Sequence, residues 1–319
     1  MRTINNFFVL ILLFSMVSCE DLLEEDITND MVTTSSPVEG EEVHSNVVTF
    51  KWNDLKGADD YRLQVYTSGT IVLDSLISTN NFTYSLNPGT YQWRVRGENF
   101  AYQTGYTFPV NFTLIESDDL DNQQVPLVSP LSGIYSNNGA MTFSWTGLTA
   151  ATTYEFQLLN VTAGSTIVLQ QSDIEETFFT LTSGTITDDA QYMWKVRAYN
   201  ADNNSQTQFA SRSFYIDTTA PLQPQNSLPE NNDSLSLSSD VNFEWNIGSD
   251  PGTIVSPVTY SLQIATDTGF NNIIETANVS TTSYNYTFSN TGTYYWRVRA
   301  NDQAGNQGAY GSYYKLILQ

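Results

Sequence analysis

The sequence predicts an all-β chain built as three tandem antiparallel β-sandwiches. Two observations carry that expectation. All six tryptophans fall into one pattern of two per repeat: Trp52 and Trp93, Trp145 and Trp194, Trp245 and Trp296. The segments around them alternate apolar and polar residues with period 2, the mark of a strand with one buried face. The second tryptophans recur about every 100 residues, the length of one sandwich domain.

The first tryptophan of each pair ends Phe50-Lys51-Trp52, Phe143-Ser144-Trp145 or Phe243-Glu244-Trp245. A second strand follows in Tyr61-Arg62-Leu63-Gln64-Val65, Tyr154-Glu155-Phe156-Gln157-Leu158 and Tyr260-Ser261-Leu262-Gln263-Ile264. A third holds the second tryptophan, in Tyr91-Gln92-Trp93-Arg94-Val95-Arg96, Tyr192-Met193-Trp194-Lys195-Val196-Arg197 and Tyr294-Tyr295-Trp296-Arg297-Val298-Arg299. In repeat one the alternation turns Val48, Phe50, Trp52, Tyr61, Leu63, Val65, Tyr91, Trp93 and Val95 inward. No segment shows a period of 3.6, so almost no helix is expected.

These strands resemble fibronectin type III modules, which carry a tryptophan on strand B, a tyrosine opening strand C and a corner leading into strand F. Leu86-Asn87-Pro88-Gly89-Thr90-Tyr91 matches that corner, and repeat three keeps Phe288, Gly292 and Tyr294. Repeat two departs, with Ala190 in place of the glycine and a longer loop over 183–189. The resemblance covers 37–115, 126–217 and 221–318, which are taken as domains one to three. Asp217-Thr218-Thr219-Ala220-Pro221 looks like the junction preceding bacterial immunoglobulin-like domains, and 116–124 reads as the other linker.

The six tryptophans are the expected core. Two per domain, each burying roughly 150–250 Å², supply about 8–12 kcal/mol as an upper bound. That exceeds the roughly 2–4 kcal/mol of a disulfide. No intramolecular disulfide is possible, because Cys19 is the sole cysteine.

Residues 1–18 read as a signal peptide: Arg2 precedes the apolar run Phe7 to Phe14, too short to span a bilayer. Met16-Val17-Ser18-Cys19 resembles the bacterial lipobox, which implies lipidation of Cys19 and a membrane anchor; secretory cleavage beside a chance cysteine is the alternative. Five of the seven residues 20–26 are acidic, resembling the surface-export signal of Bacteroidota lipoproteins. The resemblance implies an outer-membrane protein facing the cell exterior. Residues 19–36 read as an acidic, flexible tether.

Net charge is −22, with 34 acids against 12 cations. Such a surface repels nucleic acid, so no nucleic-acid partner is expected. Six of the 12 cations (Arg94, Arg96, Lys195, Arg197, Arg297 and Arg299) lie on the outward face of the third signature strand. They read as a cross-strand polar ladder rather than an anion-binding strip, because the pattern recurs in every repeat.

Loop ends are the natural recognition surface of a sandwich. Two aromatic clusters lie there, one running from Phe100 through Tyr102 to Tyr106 and the other at Tyr310, Tyr313 and Tyr314. Tyr102 and Tyr106, with Asn99 and Gln103 as polar partners, form the candidate ligand site, against the alternative of packing around strand G. The acidic pairs Asp59-Asp60, Asp118-Asp119 and Asp188-Asp189 lack the spacing to converge the roughly six to eight oxygens of a calcium site. No metal, cofactor or catalytic residue is expected. One cysteine and one histidine, His44, exclude Cys/His zinc sites. Three triplets opening at Asp74, Asp217 and Asp233 resemble the Bacteroidota O-glycosylation sequon, as chance also produces in a chain rich in Asp, Ser and Thr. The function expected is non-enzymatic: binding, adhesion or spacing at the cell surface, with an unidentified protein or glycan ligand. The alternative is a glycan-binding accessory protein of a polysaccharide-uptake system.

Overall fold

A computed structural model of the chain describes residues 24–237 and 240–319. The expected signal peptide and Cys19 lie outside the described residues. Every regular element among the described residues is a β-strand, and no helix there is long and apolar enough to cross a membrane. The chain divides into two compact units between Glu116 and Ser117. The first holds one sandwich and the second holds two, each with its own apolar core.

The first sandwich runs β1 (Thr34–Ser36), β2 (Glu41–Val43), β3 (Val47–Trp52), β4 (Asp60–Thr67), β5 (Thr70–Ile77), β6 (Asn81–Ser85), β7 (Gly89–Glu98) and β8 (Val110–Leu114). One sheet has the order β1-β3-β6 and the facing sheet β2-β8-β7-β4-β5. The second sandwich repeats this with β9 (Leu127–Ser129), β10 (Tyr135–Ser136), β11 (Thr142–Trp145), β12 (Thr153–Asn160), β13 (Thr166–Ile174), β14 (Phe178–Thr180), β15 (Ala190–Asn200), β16 (Ser205–Gln206) and β17 (Ala210–Ile216). Its sheets are β14-β11-β9 and β10-β17-β15-β12-β13, with β16 on β15. The third uses β18 (Gln225–Leu228), β19 (Asp233–Leu235), β20 (Val241–Asn246), β21 (Val258–Ala265), β22 (Ile273–Val279), β23 (Ser283–Tyr286), β24 (Gly292–Asp302) and β25 (Tyr314–Leu318). Its sheets are β18-β20-β23 and β19-β25-β24-β21-β22.

Each sandwich opens with a strand that changes sheets. β1 pairs antiparallel with β3, whereas β2 pairs parallel with β8 on the other sheet. The switch falls at Pro37, and at Pro130 and Pro229 in the later sandwiches. Proline has no N–H to continue a ladder, so pairing stops there. Three residues on, the chain needs a left-handed turn, supplied by Gly40, Gly133 and Asn232 with φ of 77°, 79° and 71°.

The cores are near copies. Phe50 meets Trp93 with ring centroids 5.3 Å apart, Phe143 meets Trp194 at 5.2 Å, and Phe243 meets Trp296 at 5.1 Å. Trp52, Trp145 and Trp245 each tilt onto the tyrosine that opens the next strand: Tyr61, Tyr154 and Tyr260. All six tryptophans are buried, as expected from the sequence. The corner tyrosine also recurs. Tyr91, Tyr192 and Tyr294 donate their hydroxyls to the carbonyls of Asn87, Asp188 and Asn290 at 2.8, 3.0 and 2.9 Å. Repeat two therefore keeps the corner although Ala190 replaces glycine.

Two boundaries move. The tether expected to run to residue 36 is shorter. Ile27 is fully buried, Val32 joins the first core, and Thr34–Ser36 is a strand of the first sheet. Residues 116–124 are likewise more than a linker, because Leu120 is fully buried in the second core. The polar composition hid two apolar anchors in the first stretch and one in the second.

Candidate functional site

The outward ladder of the first sandwich is built from β4 and β7, whose register places Gln64 opposite Arg94 and Arg62 opposite Arg96. Arg94 donates through Nε and one terminal nitrogen to Gln64 Oε1, at 3.0 and 2.8 Å. Arg62 bridges Asp74 and Glu98, and Arg96 also holds Glu98, at 2.7 Å. Burial pushes the Glu98 carboxyl up, but the hydrogen bonds and charges of Arg96 and Arg62 outweigh it and hold the group below its ordinary value.

The second sandwich concentrates this chemistry on Glu155, a buried acid. Its carboxylate accepts from Arg197 Nε at 2.8 Å, Tyr199 Oη at 3.0 Å, Gln157 at 3.0 Å and Gln170 at 2.7 Å. In the third sandwich Arg297 forks onto Gln263 as Arg94 does onto Gln64. An arginine of the third signature strand is thus held by its cross-strand neighbours in each repeat, while the buried Nε of Arg299 in the third has no partner.

The four candidate ligand residues lie in the loop after β7. Tyr106 is half-buried under the ladder, with the Arg94 and Arg96 guanidinium groups 4.2 and 4.8 Å from its ring. The same lid recurs as Phe209 over Arg197 and Tyr310 over Arg297 and Arg299. Recurrence in every repeat places Tyr106 with the structural ladder. Asn99 is also fully engaged. Its Nδ2 donates to the carbonyls of Glu25 and Gly57, and its Oδ1 accepts from the N–H groups of Ala101 and Tyr102.

Tyr102 and Gln103 are exposed and line a shallow basin of about 270 Å³ with Glu98, Asn99, Phe100 and Ala101. Phe100 is 95% exposed and, farther along the same loop, Phe108 is 82% exposed. No ladder or core contact accounts for that exposure. The structure therefore separates the four residues. Asn99 and Tyr106 build the loop, while Tyr102 and Gln103 sit on its surface. Beside them lies Phe100, which belongs to the aromatic cluster but not to the four residues expected to form the site.

Among the described residues, Asp217, Asp250 and Asp302 are the acids whose carboxylate oxygens converge closely enough to hold a metal ion. None belongs to the acidic pairs considered from sequence. They come from three separate segments, so no local spacing could have shown them.

No family model matches the chain, and no curated protein matches it. Solved structures do. The FN1–FN3 domains of chicken CNTN1 are similar with 16% identity and a TM-score of 0.46, over 88% of this chain and 96% of that one. A tandem of titin domains is similar with 12% identity and a TM-score of 0.36, over 90% and 99%. Fibronectin(III)-like modules of Clostridium thermocellum CbhA are similar with 14% identity and a TM-score of 0.23, over 59% and 94%. By its own strand order and buried residues, the chain is a tandem of fibronectin type III-like β-sandwiches.

Proposed function

We propose that this chain is a non-enzymatic, lipid-anchored protein of the outer cell surface, which binds a partner through the loop after β7, in the sandwich that follows the anchor. The observation that carries this reading is the exposure of Phe100, Tyr102 and Phe108 on one loop of the first sandwich. Apolar side chains grouped in the open mark recognition surfaces. The anchor rests on Cys19 behind its apolar run, and the outward orientation on the acidic residues after it.

A second reading is a glycan-binding accessory role in polysaccharide uptake. Tyr102 favours it, with Gln103 beside it, because an exposed ring next to an amide suits stacking and hydrogen bonding to a sugar.

The test is a paired screen of the protein against glycan and protein arrays, repeated with Phe100→Ala plus Tyr102→Ala. Hits that vanish in the double variant support the loop. Hits that survive it, or no hits in either array, count against binding through this loop. Fractionation of a Cys19→Ser variant tests the anchor; persistent membrane association refutes lipidation. Protection of the protein from protease on whole cells refutes surface display.

A further inference from the structure

The residue six positions after the second tryptophan of each repeat is Asn99, Asn200 or Asp302. The two asparagines do the same task. Asn99 Nδ2 donates to the carbonyls of Glu25 and Gly57 at 2.9 and 2.8 Å, and Asn200 Nδ2 donates to the carbonyl of Asp118 at 3.0 Å. Each amide thereby ties the chain entering its sandwich to the loop end.

A carboxylate cannot donate, so the third sandwich solves the task differently. Asn306 Nδ2 donates to the carbonyls of Asp217 and Thr219 at 2.8 and 3.3 Å, and to Asp302 Oδ2 at 2.8 Å. Asp302 thus touches the incoming chain only through Asn306, whose N–H and Nδ2 both donate to its carboxylate.

Asp302 is not alone. Asp217 follows β17, Asp250 lies in the loop after β20, and Asp302 ends β24. Their exposures are 0%, 9% and 7%, and one oxygen from each lies within 4.8 Å of the others. Three buried carboxylates repel one another unless a positive charge joins them. Among the described residues no lysine or arginine forms an ion pair with any of the three.

Two buried oxygens at this place have no hydrogen-bond partner. Asp217 Oδ2 is one. The other is Ser256 Oγ, on a residue 2% exposed. Ser256 belongs at the cluster on two counts: its N–H donates to Asp250 Oδ2 at 2.9 Å, and its hydroxyl lies close enough to Asp217 to favour the charged carboxylate, without hydrogen-bonding geometry. Burial pushes the Asp217 carboxyl above its ordinary value; Ser256 and the Thr219 N–H oppose that, while Asp250 and Asp302 add to it.

We propose that Asp217, Asp250 and Asp302, with Ser256 Oγ beside them, bind one calcium ion at the junction of the second and third sandwiches. Calcium takes about six to eight oxygens at roughly 2.3–2.6 Å, so ligands on opposite sides of the ion lie about 4.6–5.2 Å apart. Carboxylate oxygens that all lie within 4.8 Å of one another can contact one such ion. Three carboxylates and a hydroxyl offer enough oxygens in a site with little access for water. Magnesium holds several waters and demands a smaller octahedron, which this buried set does not suit.

The ligands are already oriented. Asp302 Oδ1 accepts from the N–H groups of Gly305 and Asn306, each at 2.8 Å, and Asp250 Oδ1 from Gly252 at 3.3 Å. Asp217 Oδ1 accepts from Thr219 N–H at 3.1 Å, leaving Oδ2 free for the ion. The ion joins the end of the second sandwich to two loops of the third.

The test is calorimetric titration of the EDTA-treated full chain with CaCl2 and, separately, MgCl2, with thermal unfolding in each salt. One calcium per chain and a raised unfolding midpoint are expected. Asp302→Asn should weaken binding at least about tenfold. That variant restores the residue found at 99 and 200, and an unchanged circular dichroism spectrum checks that it folds. Asp217→Asn should weaken binding likewise. The proposal is overturned if no heat appears with CaCl2 up to about 5 mM, above the weakest affinities of extracellular modules. It is equally overturned if both variants bind as the parent does, or if magnesium binds as tightly as calcium.

Discussion

The indole N–H of Trp93 donates to the carbonyl of Pro37 at 3.1 Å. This bond ties the centre of the first core to the point where the opening strand changes sheets. The equivalent indoles of Trp194 and Trp296 are buried without a partner. One core position thus has different energetics in three repeats. Trp93→Ala should destabilise the first sandwich by about 3–5 kcal/mol through cavity formation. Trp93→Phe should cost about 0.5–1.5 kcal/mol more than Trp194→Phe, because only the former breaks a hydrogen bond. Urea unfolding monitored domain by domain checks both, and equal costs for the two phenylalanine variants refute the role given to Pro37.

Glu155 makes the second sandwich sensitive to acid. Burial raises its pKa, but hydrogen bonds from Arg197, Gln157 and Tyr199 and the charge of Arg197 bring it below the ordinary 4.5. A depressed folded pKa stabilises above the unfolded value and loses that contribution as pH falls through the folded one. Unfolding midpoints of the second sandwich should therefore fall as pH drops below about 4.5. Glu155→Gln should flatten that dependence and cost about 2 kcal/mol at neutral pH. An identical pH profile in the variant refutes the assignment.

The position of Ile27 and Val32 sets where a stable fragment begins. A fragment starting at Pro37 loses both side chains and β1. Its first sandwich should be less stable than one starting at Glu24 by about 3–6 kcal/mol, an upper bound from the burial of two aliphatic side chains plus the lost ladder. Thermal melts of the two fragments compare directly, and coincident transitions contradict the boundary.

Tyr106 and Phe100 lie in the same loop yet should respond in opposite ways. Tyr106→Ala removes the lid on two guanidinium groups and should destabilise the first sandwich by about 1–2 kcal/mol. Phe100→Ala should change stability by less than about 0.5 kcal/mol, since its ring touches little. Denaturant midpoints for the pair separate scaffold from surface. A large stability loss on removing Phe100 contradicts its place as a free recognition group.

The strands are legible in the sequence because their alternation is strict and recurs, so that Trp52, Trp145 and Trp245 each announce the tyrosine they pack on. The ladder is legible for the same reason. What escapes depends on contacts between distant segments. Ile27 and Leu120 are isolated apolar residues in polar stretches, and only the folded core shows that they are anchors. Asn99 reads as a ligand-binding amide because its use, carbonyls at residues 25 and 57, is invisible along the chain. Asp217, Asp250 and Asp302 are obscure for the same reason: their convergence is a property of topology.

Each sandwich closes one sheet with a parallel pair: β2 with β8, β10 with β17 and β19 with β25. These are the first and last strands of that sheet in chain order. Tension applied through the two ends of a sandwich pulls such a pair lengthwise in opposite directions. The hydrogen bonds between them then bear the load together instead of opening one after another. Force applied between the two ends of the chain thus loads all three sandwiches in shear, and its resistance is set by the rate of unfolding rather than by equilibrium stability.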